Sequence, residues 1–378
     1  MSEINEYRQG LQAEVKKVIE SKIKIVKTNL DKIEQGTGRY QNDVKEAIRT
    51  ITEEGKQIQN WIDKKEQALI SSLEEKTRQQ AFRPYRCDRG FGYHTAKQLS
   101  TLGFQVFAGC LDINGAGAKE LKKFSKCVHP VQLDVTKEQD VLDVLKFVED
   151  IVQDEGLWAV INNAGVASYV ECEWCPLDVY QRLIDVNLTG VIRVTKAFLP
   201  LVRKNQGRVV TVASLAGRNG LPGFSAYSAT KFGVIGFSEC LRREMKKFNV
   251  KVITIEPSMY KTSITDENVL IAQNQELWEK CPDEIKNAYG EPYFNDFLVK
   301  VKENIDLIAN KDITPVIDAM EDAICCQYPD TRYVPGFRTS CESFVYSMLP
   351  VSIQDLTVSF VMKYVNKPCQ MITLNKNR

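Results

Sequence analysis

The sequence predicts an α/β domain, a doubly wound parallel sheet with helices on both faces, behind an N-terminal helical coiled-coil segment. Three observations predict it. From residue 87 onward, short apolar runs alternate with amphipathic stretches, most of them ten or more residues long, the pattern of strand and crossover helix. Residues 1–80 instead carry apolar positions spaced by threes and fours. The stretch between them, 74–84, is polar and ends in Pro84, so the sheet is expected to lack its first strand.

The N-terminal segment comes first in order. Val15, Ile19, Ile23, Val26, Leu30 and Ile33 make one apolar stripe. After Gly36-Thr37-Gly38 a second follows through Val44, Ile48, Ile51, Ile58, Ile62 and Leu69, with Gly55 and Lys65 on the same heptad seam. A stripe this narrow makes no core alone and must pack on a partner helix. The favoured reading is a coiled coil that makes the chain a homo-oligomer; the other is a hairpin folded back on its own domain. Residues 43–75 resemble the coiled coil that follows the B-box in tripartite-motif proteins, though no B-box zinc ligands precede them.

The sheet domain is expected over 87–336, with strands at 105–111, 128–133, 157–161, 208–212 and 251–256. A C-terminal extension, 337–378, follows. Its stretch 344–362 is mostly apolar but is interrupted by Pro350 and Asp355, too broken to span a bilayer. Three readings fit it: docking on a membrane surface, a cover over an apolar pocket, or a helix packed on its own domain.

Composition narrows the function. The 378 residues are 43% hydrophobic and 26% charged, ordinary for a globular chain, and the net charge of +1 offers nucleic acid no attracting field. The first ten residues lack the apolar core of a signal peptide, and no apolar run is long enough to span a membrane. Eleven scattered cysteines read as reduced, so an intracellular chain, cytoplasmic or membrane-associated, is expected. Cys172 and Cys175 lack a second pair, and His94 and His129 suit neither a triad nor a zinc site; no metal is expected.

The chemistry lies in the sheet domain. Tyr227 and Lys231, at i and i+4, put a phenol and an ammonium on one helix face. A nearby cation favours phenolate and brings the tyrosine towards neutrality, which suits it to move the proton of an alcohol. Ser214, at the end of the run 208–212, is placed to hold a substrate oxygen; the plain alternative is a cap or turn serine. Asn187 interrupts a helical stretch, where asparagine needs a reason. Asn162-Asn163-Ala164-Gly165 follows a strand, where amides and a glycine suit cofactor contact or a plain turn. Gly90-Phe91-Gly92 opens a helix, where glycines let a pyrophosphate approach.

In this order and spacing, the pieces CDRGFG, LDVT (133–136), NNAG, DVNLTG, Ser214, YSATK and the stretch from Glu256-Pro257 to Thr262 resemble the short-chain dehydrogenase/reductase family, whose sheet is Rossmann-like. CDRGFG, GFQVFAGCLD and DTRYVPG are most similar to its retinol, 17-beta-hydroxysteroid and 3-hydroxybutyrate dehydrogenases. The resemblance implies a catalytic set of Asn187, Ser214, Tyr227 and Lys231. Tyr227 would be the acid/base, Lys231 would tune it and bind the nicotinamide ribose, Ser214 would polarise the substrate oxygen, and Asn187 would support a water relay through Lys231. Gly90, Gly92, Asp134, Asn162, Ala164, Gly165 and Thr262, with Tyr227 and Lys231, would contact the cofactor. Asp112 favours NAD, whereas Arg89 favours NADP; NAD is expected, with NADP as the alternative. The region between Thr262 and Gly290, with Trp278, would build the pocket for a lipophilic alcohol or ketone.

The chain departs from the family pattern at Tyr85 and Arg86, where the family has threonine and glycine, and at Ser258, where it usually has glycine. These departures sustain a second reading: a coiled-coil interaction protein carrying an impaired dehydrogenase domain, or a misjoined gene model.

Overall fold

Val106, Ala108 and Cys110 pack into one buried cluster and Phe107 between them into another, so this strand is covered on both faces. That is the mark of a central parallel sheet. The computed structural model describes residues 80–83 and 90–361, apart from several positions between 337 and 347. Its strands are β1 (Gln80–Arg83), β2 (Gln105–Cys110), β3 (Val128–Gln132), β4 (Ala159–Asn162), β5 (Arg208–Val212), β6 (Lys251–Ile255) and β7 (Arg332–Tyr333). They pair in parallel in the order β3-β2-β1-β4-β5-β6-β7. All five strands read from the sequence are present.

The expected gap in the sheet is filled, which corrects the reading that the first strand is lacking. Ala81 lies opposite Val106 on one side and Ala159 on the other, and Phe82 opposite Phe107 and Val160. Side-chain polarity misled the reading because the ladder is made by the backbone. Two central strands with open inner edges offer donors and acceptors to any extended segment between them. Four residues suffice, and Pro84, which donates nothing, falls just beyond them. The coiled-coil expectation for 1–80 lies outside the described residues except for Gln80, which begins β1.

Helices cover the sheet as the alternation requires. Helices α1 (Gly90–Thr101), α2 (Ala116–Phe124) and α10 (Thr314–Cys325) pack on one face. Helices α3 (Glu138–Val152), α5 (Gly190–Lys204) and α6 (Ser225–Met245) pack on the other. Between α4 (Leu177–Ile184) and α5, residues Asp185–Thr189 form a π-turn. A third core joins α7 (Glu267–Glu279) and α9 (Glu291–Ile308) to the segment after β4, with α8 (Asp283–Tyr289) packed against it. At its centre Trp174 meets Trp278, Tyr289 and Phe297 edge to face, with ring centres 5.2, 4.9 and 5.5 Å away. The last described helix, α11 (Val351–Val361), lies in the C-terminal extension.

Candidate active site

A cavity of about 380 Å³ draws its walls from the carboxyl ends of β4, β5 and β6, the edge where such sheets bind ligands. The loop after β4 brings Asn163 and Gly165, the loop after β5 brings Ser214, and the loop after β6 brings Pro257 to Thr262. Helix α6 contributes Tyr227 and Lys231, and α1 contributes Phe91. Ser214, Tyr227 and Lys231 therefore face one space.

Each is held for a reason visible in the chain. Ser214 leaves β5 in extended conformation and caps the short turn Leu215–Gly217, its hydroxyl accepting from Ala216 N at 3.1 Å. The reading of Ser214 as a cap serine holds locally, and the same residue lines the cavity. Lys231 is buried and its Nζ donates to Val212 O at 2.9 Å. Burial pushes the Tyr227 phenol up to about 12, while its hydrogen bond with Ser214 acts the other way. Burial also brings the Lys231 amine down to about 8. The expected cation effect on the phenol is therefore not delivered by spacing alone. The amine is turned to a carbonyl, 5.6 Å from the tyrosine ring centre, and the serine hydroxyl is what eases ionisation.

Asn187 sits fully buried in the π-turn. Its Oδ1 accepts from Val166 N at 2.9 Å, and its Nδ2 donates to Val166 O at 2.9 Å and to Thr230 Oγ1 at 3.1 Å. The side chain behaves as a short strand that clamps the loop after β4 to α6. A π-turn costs regular helix bonding, and such turns gather at functional sites. Asn187 stands beside Gly165, where an added Cβ would lie 3.6 Å from Asn187 Oδ1 and 4.0 Å from Lys231 Nζ.

The expected cofactor residues divide. Gly90 has φ +65°, and a Cβ there would meet nothing nearer than Thr262 Cβ at 4.0 Å. That leaves a bare cradle at the N-terminus of α1, the geometry a pyrophosphate needs. Gly92 is buried inside α1. Thr262 lines the cavity and caps the following turn with Thr265. Asp134, just past β3, accepts from Thr136 N at 3.0 Å and Thr136 Oγ1 at 2.7 Å. Asp112 is exposed two residues past β2 and accepts from Asn114 N at 2.9 Å.

Two expected residues turn their side chains elsewhere. Asn162 does not turn its side chain to the cleft: it is 3% exposed and donates to Thr195 Oγ1 at 2.8 Å, tying β4 to α5. Ala164 packs into the same core. Strand alternation explains this, since the next residue, Asn163, is the one that faces the cavity. Trp278 does not build the pocket either; it stacks on Phe294 at 4.5 Å inside the third core. Ile264 and Thr265 of the expected region do line the pocket, and the rest of the apolar wall comes from Leu221, Phe224 and Met259, and from Tyr346, Thr357 and Val358 of the C-terminal extension. The apolar run 344–362 was the signal for that last group. Tyr85, Arg86 and Arg89 lie outside the described residues.

The residues present fit a nicotinamide cofactor, which supplies the hydride carrier when bound. Gly90, Phe91, Asn163, Gly165 and Thr262 would hold it along one side, facing the serine and tyrosine on the other. This fold and site define the class: the chain belongs to the short-chain dehydrogenase/reductase family and is a nicotinamide-dependent oxidoreductase. The short chain dehydrogenase family model matches residues 87–270. Over 280 residues the chain is 40% identical to mouse estradiol 17-beta-dehydrogenase 2, covering 72% of each chain. It is 40% identical over 271 residues to mouse retinol dehydrogenase 16, covering 71% of this chain and 84% of that one. A solved short-chain dehydrogenase from Streptomyces avermitilis shares the fold, with TM-score 0.59 at 21% identity over 76% of this chain and 98% of that one.

Proposed function

We propose that the chain moves hydride between NAD and the hydroxyl or keto group of a lipophilic substrate of the steroid or retinoid kind. Tyr227 Oη takes or gives the hydroxyl proton, Ser214 orients the substrate oxygen, and Lys231 holds the cofactor side of the site. The supporting observation is the cavity itself. At about 380 Å³ it is in the range of small-ligand sites, and its mostly apolar wall has Ser214 and Tyr227 set into it. Asp112 at the end of β2 supports NAD over NADP. Enhancement of NADH fluorescence by the purified chain, with NAD-linked oxidation of estradiol or retinol, is the expected result. A chain that binds neither NADH nor NADPH would return the argument to an impaired dehydrogenase domain carried for interaction.

Association with a membrane surface fits one further observation. Helix α11 turns Thr357 and Val358 to the cavity while Val351 and Leu356 stand 70% and 67% exposed, with Met348 just before them at 71%. Among the described residues no helix is long and apolar enough to cross a membrane. Such an apolar face beside a lipophilic pocket suits a bilayer surface. Vesicles that fail to pull the full chain down on sedimentation would remove this part of the reading.

A further inference from the structure

A buried carboxylate lies behind the reactive wall of the cavity and takes no part in the chemistry above. Glu256 follows β6 directly, has no exposed surface, and sits between two guanidinium groups. Its Oε1 accepts from Arg218 at 3.1 Å and from the Thr254 hydroxyl at 3.1 Å. Its Oε2 accepts from Arg332 at 2.7 Å and from Arg218 Nε at 3.3 Å. Desolvation offsets much of the attraction in a buried cluster of this kind, so stability alone explains it poorly. What it does achieve is to fix the elements it joins.

Those elements are the ones that bound the active site. Arg218 closes the turn that Ser214 begins, its N–H donating to Leu215 O at 2.9 Å. Its Nη1 reaches Glu239 at 3.2 Å, on the same helix as Tyr227 and Lys231. Pro257, the next residue after Glu256, accepts from Leu215 N at 3.0 Å and from the Ser214 hydroxyl at 3.5 Å. On the other side, Arg332 belongs to β7 and reaches Ser343 at 3.5 Å. Ser343 stands one helical turn before Tyr346, which lines the cavity.

We propose that Glu256 is a positioning residue with two arms: through Arg218 it sets the direction of the Ser214 hydroxyl, and through Arg332 it holds the C-terminal extension that completes the substrate wall. This rests on the function proposed above. Arg218 and Arg332 are 32% and 37% exposed at their side chains, and removing either leaves Glu256 with one cation, so both variants should fold.

Arg218→Met and Arg332→Met separate the arms. With the lipophilic alcohol that the wild-type chain oxidises, Arg218→Met should lower kcat by about tenfold, leaving KM and the NADH Kd in place. Arg332→Met should raise KM severalfold and spare kcat. Hydrogen exchange, which needs no substrate, should quicken at 215–219 in the first variant and at 343–361 in the second. Arg218→Lys, which keeps the charge, should recover part of the first loss. Exchange unchanged in both segments would overturn the inference. So would exchange quickened evenly over the sheet with both kinetic constants falling together, the sign of a stability role alone. The two readings fail differently: full activity in Ser214→Ala would end the assignment of the serine, whereas an inactive Ser214→Ala beside a fully active Arg218→Met would end the positioning role.

Discussion

The two sides of the cleft are built by different means. The side proposed for catalysis is fixed by side chains: buried Asn187 clamps Val166 and Thr230, buried Lys231 grips Val212, and half-buried Ser214 caps its own turn. The side proposed for the cofactor is mostly backbone, with the left-handed Gly90 and with Gly165 beside Asn187 and Lys231. Side chains that do chemistry leave a readable signature in sequence. Backbone that makes room tolerates more change in what surrounds it. The comparison predicts that substitutions on the catalytic side change rate steeply, whereas single changes on the cofactor side shift preference.

The largest effect should come from Tyr227→Phe. The substitution removes the hydroxyl proposed to exchange a proton with the substrate and leaves the ring that faces Phe224, 6.3 Å away. Loss of a positioned acid/base costs about 10²–10⁴ in rate. Steady-state turnover should fall by a factor in that range, with the thermal midpoint unchanged. Turnover near the wild-type level would move the proton role to another group and erase the contrast between the two sides.

Lys231→Met should give an intermediate effect with a distinctive sign. Burial lowers the folded amine from 10.5 to about 8. Between those values the unfolded chain holds a proton that the folded chain has released, so stability rises with pH through that window. Below about pH 8 both states are protonated and the burial cost is present in full. Removing the amine should therefore stabilise the domain at pH 7 by on the order of 2 kcal/mol, after the lost bond to Val212 O is counted, while turnover falls by less than in Tyr227→Phe. Near pH 10.5 the advantage should shrink towards zero. Urea unfolding at the two pH values checks this; equal stability at both would mean that the buried amine carries no such cost.

Much of this was legible before any coordinates. Four of the five apolar runs, those of β2, β4, β5 and β6, were legible because strands buried on both faces are apolar nearly throughout, whereas β3 at the sheet edge is only partly buried. The serine, tyrosine and lysine were singled out by the resemblance of their order and spacing to the family pattern, and all three line one cavity. Gln80–Arg83 was not, because a central strand can be recruited by the edges beside it, and composition records side chains only. Asn162 was misplaced by one residue, which in a strand inverts the face. Phe224 and Tyr260 belong to the cavity through long-range packing that no local pattern announces, whereas Tyr346 lies in the apolar run 344–362. The Trp278 region shows the converse, an aromatic cluster that signals a core and was read as a pocket.

Asp112→Asn tests the cofactor side and should have the smallest effect. Asp112 Oδ1 accepts from Asn114 N in a turn closed by Gly115 N donating to Asp112 O at 3.1 Å. Asparagine keeps that acceptor and supports the same turn, so the loop should hold its shape and the thermal midpoint should not move. What disappears is a negative charge at the end of β2, where an acid accepts from ribose hydroxyls and repels a 2′-phosphate. The residue is exposed, so water and salt screen that charge, and the ratio of kcat/KM for NADP over NAD should rise by no more than about tenfold. The shift should be larger at low ionic strength than at high. A ratio indifferent to both the substitution and the salt would show that a group other than this carboxylate sets the nucleotide preference, and Arg89, just before Gly90, would be the next residue to change.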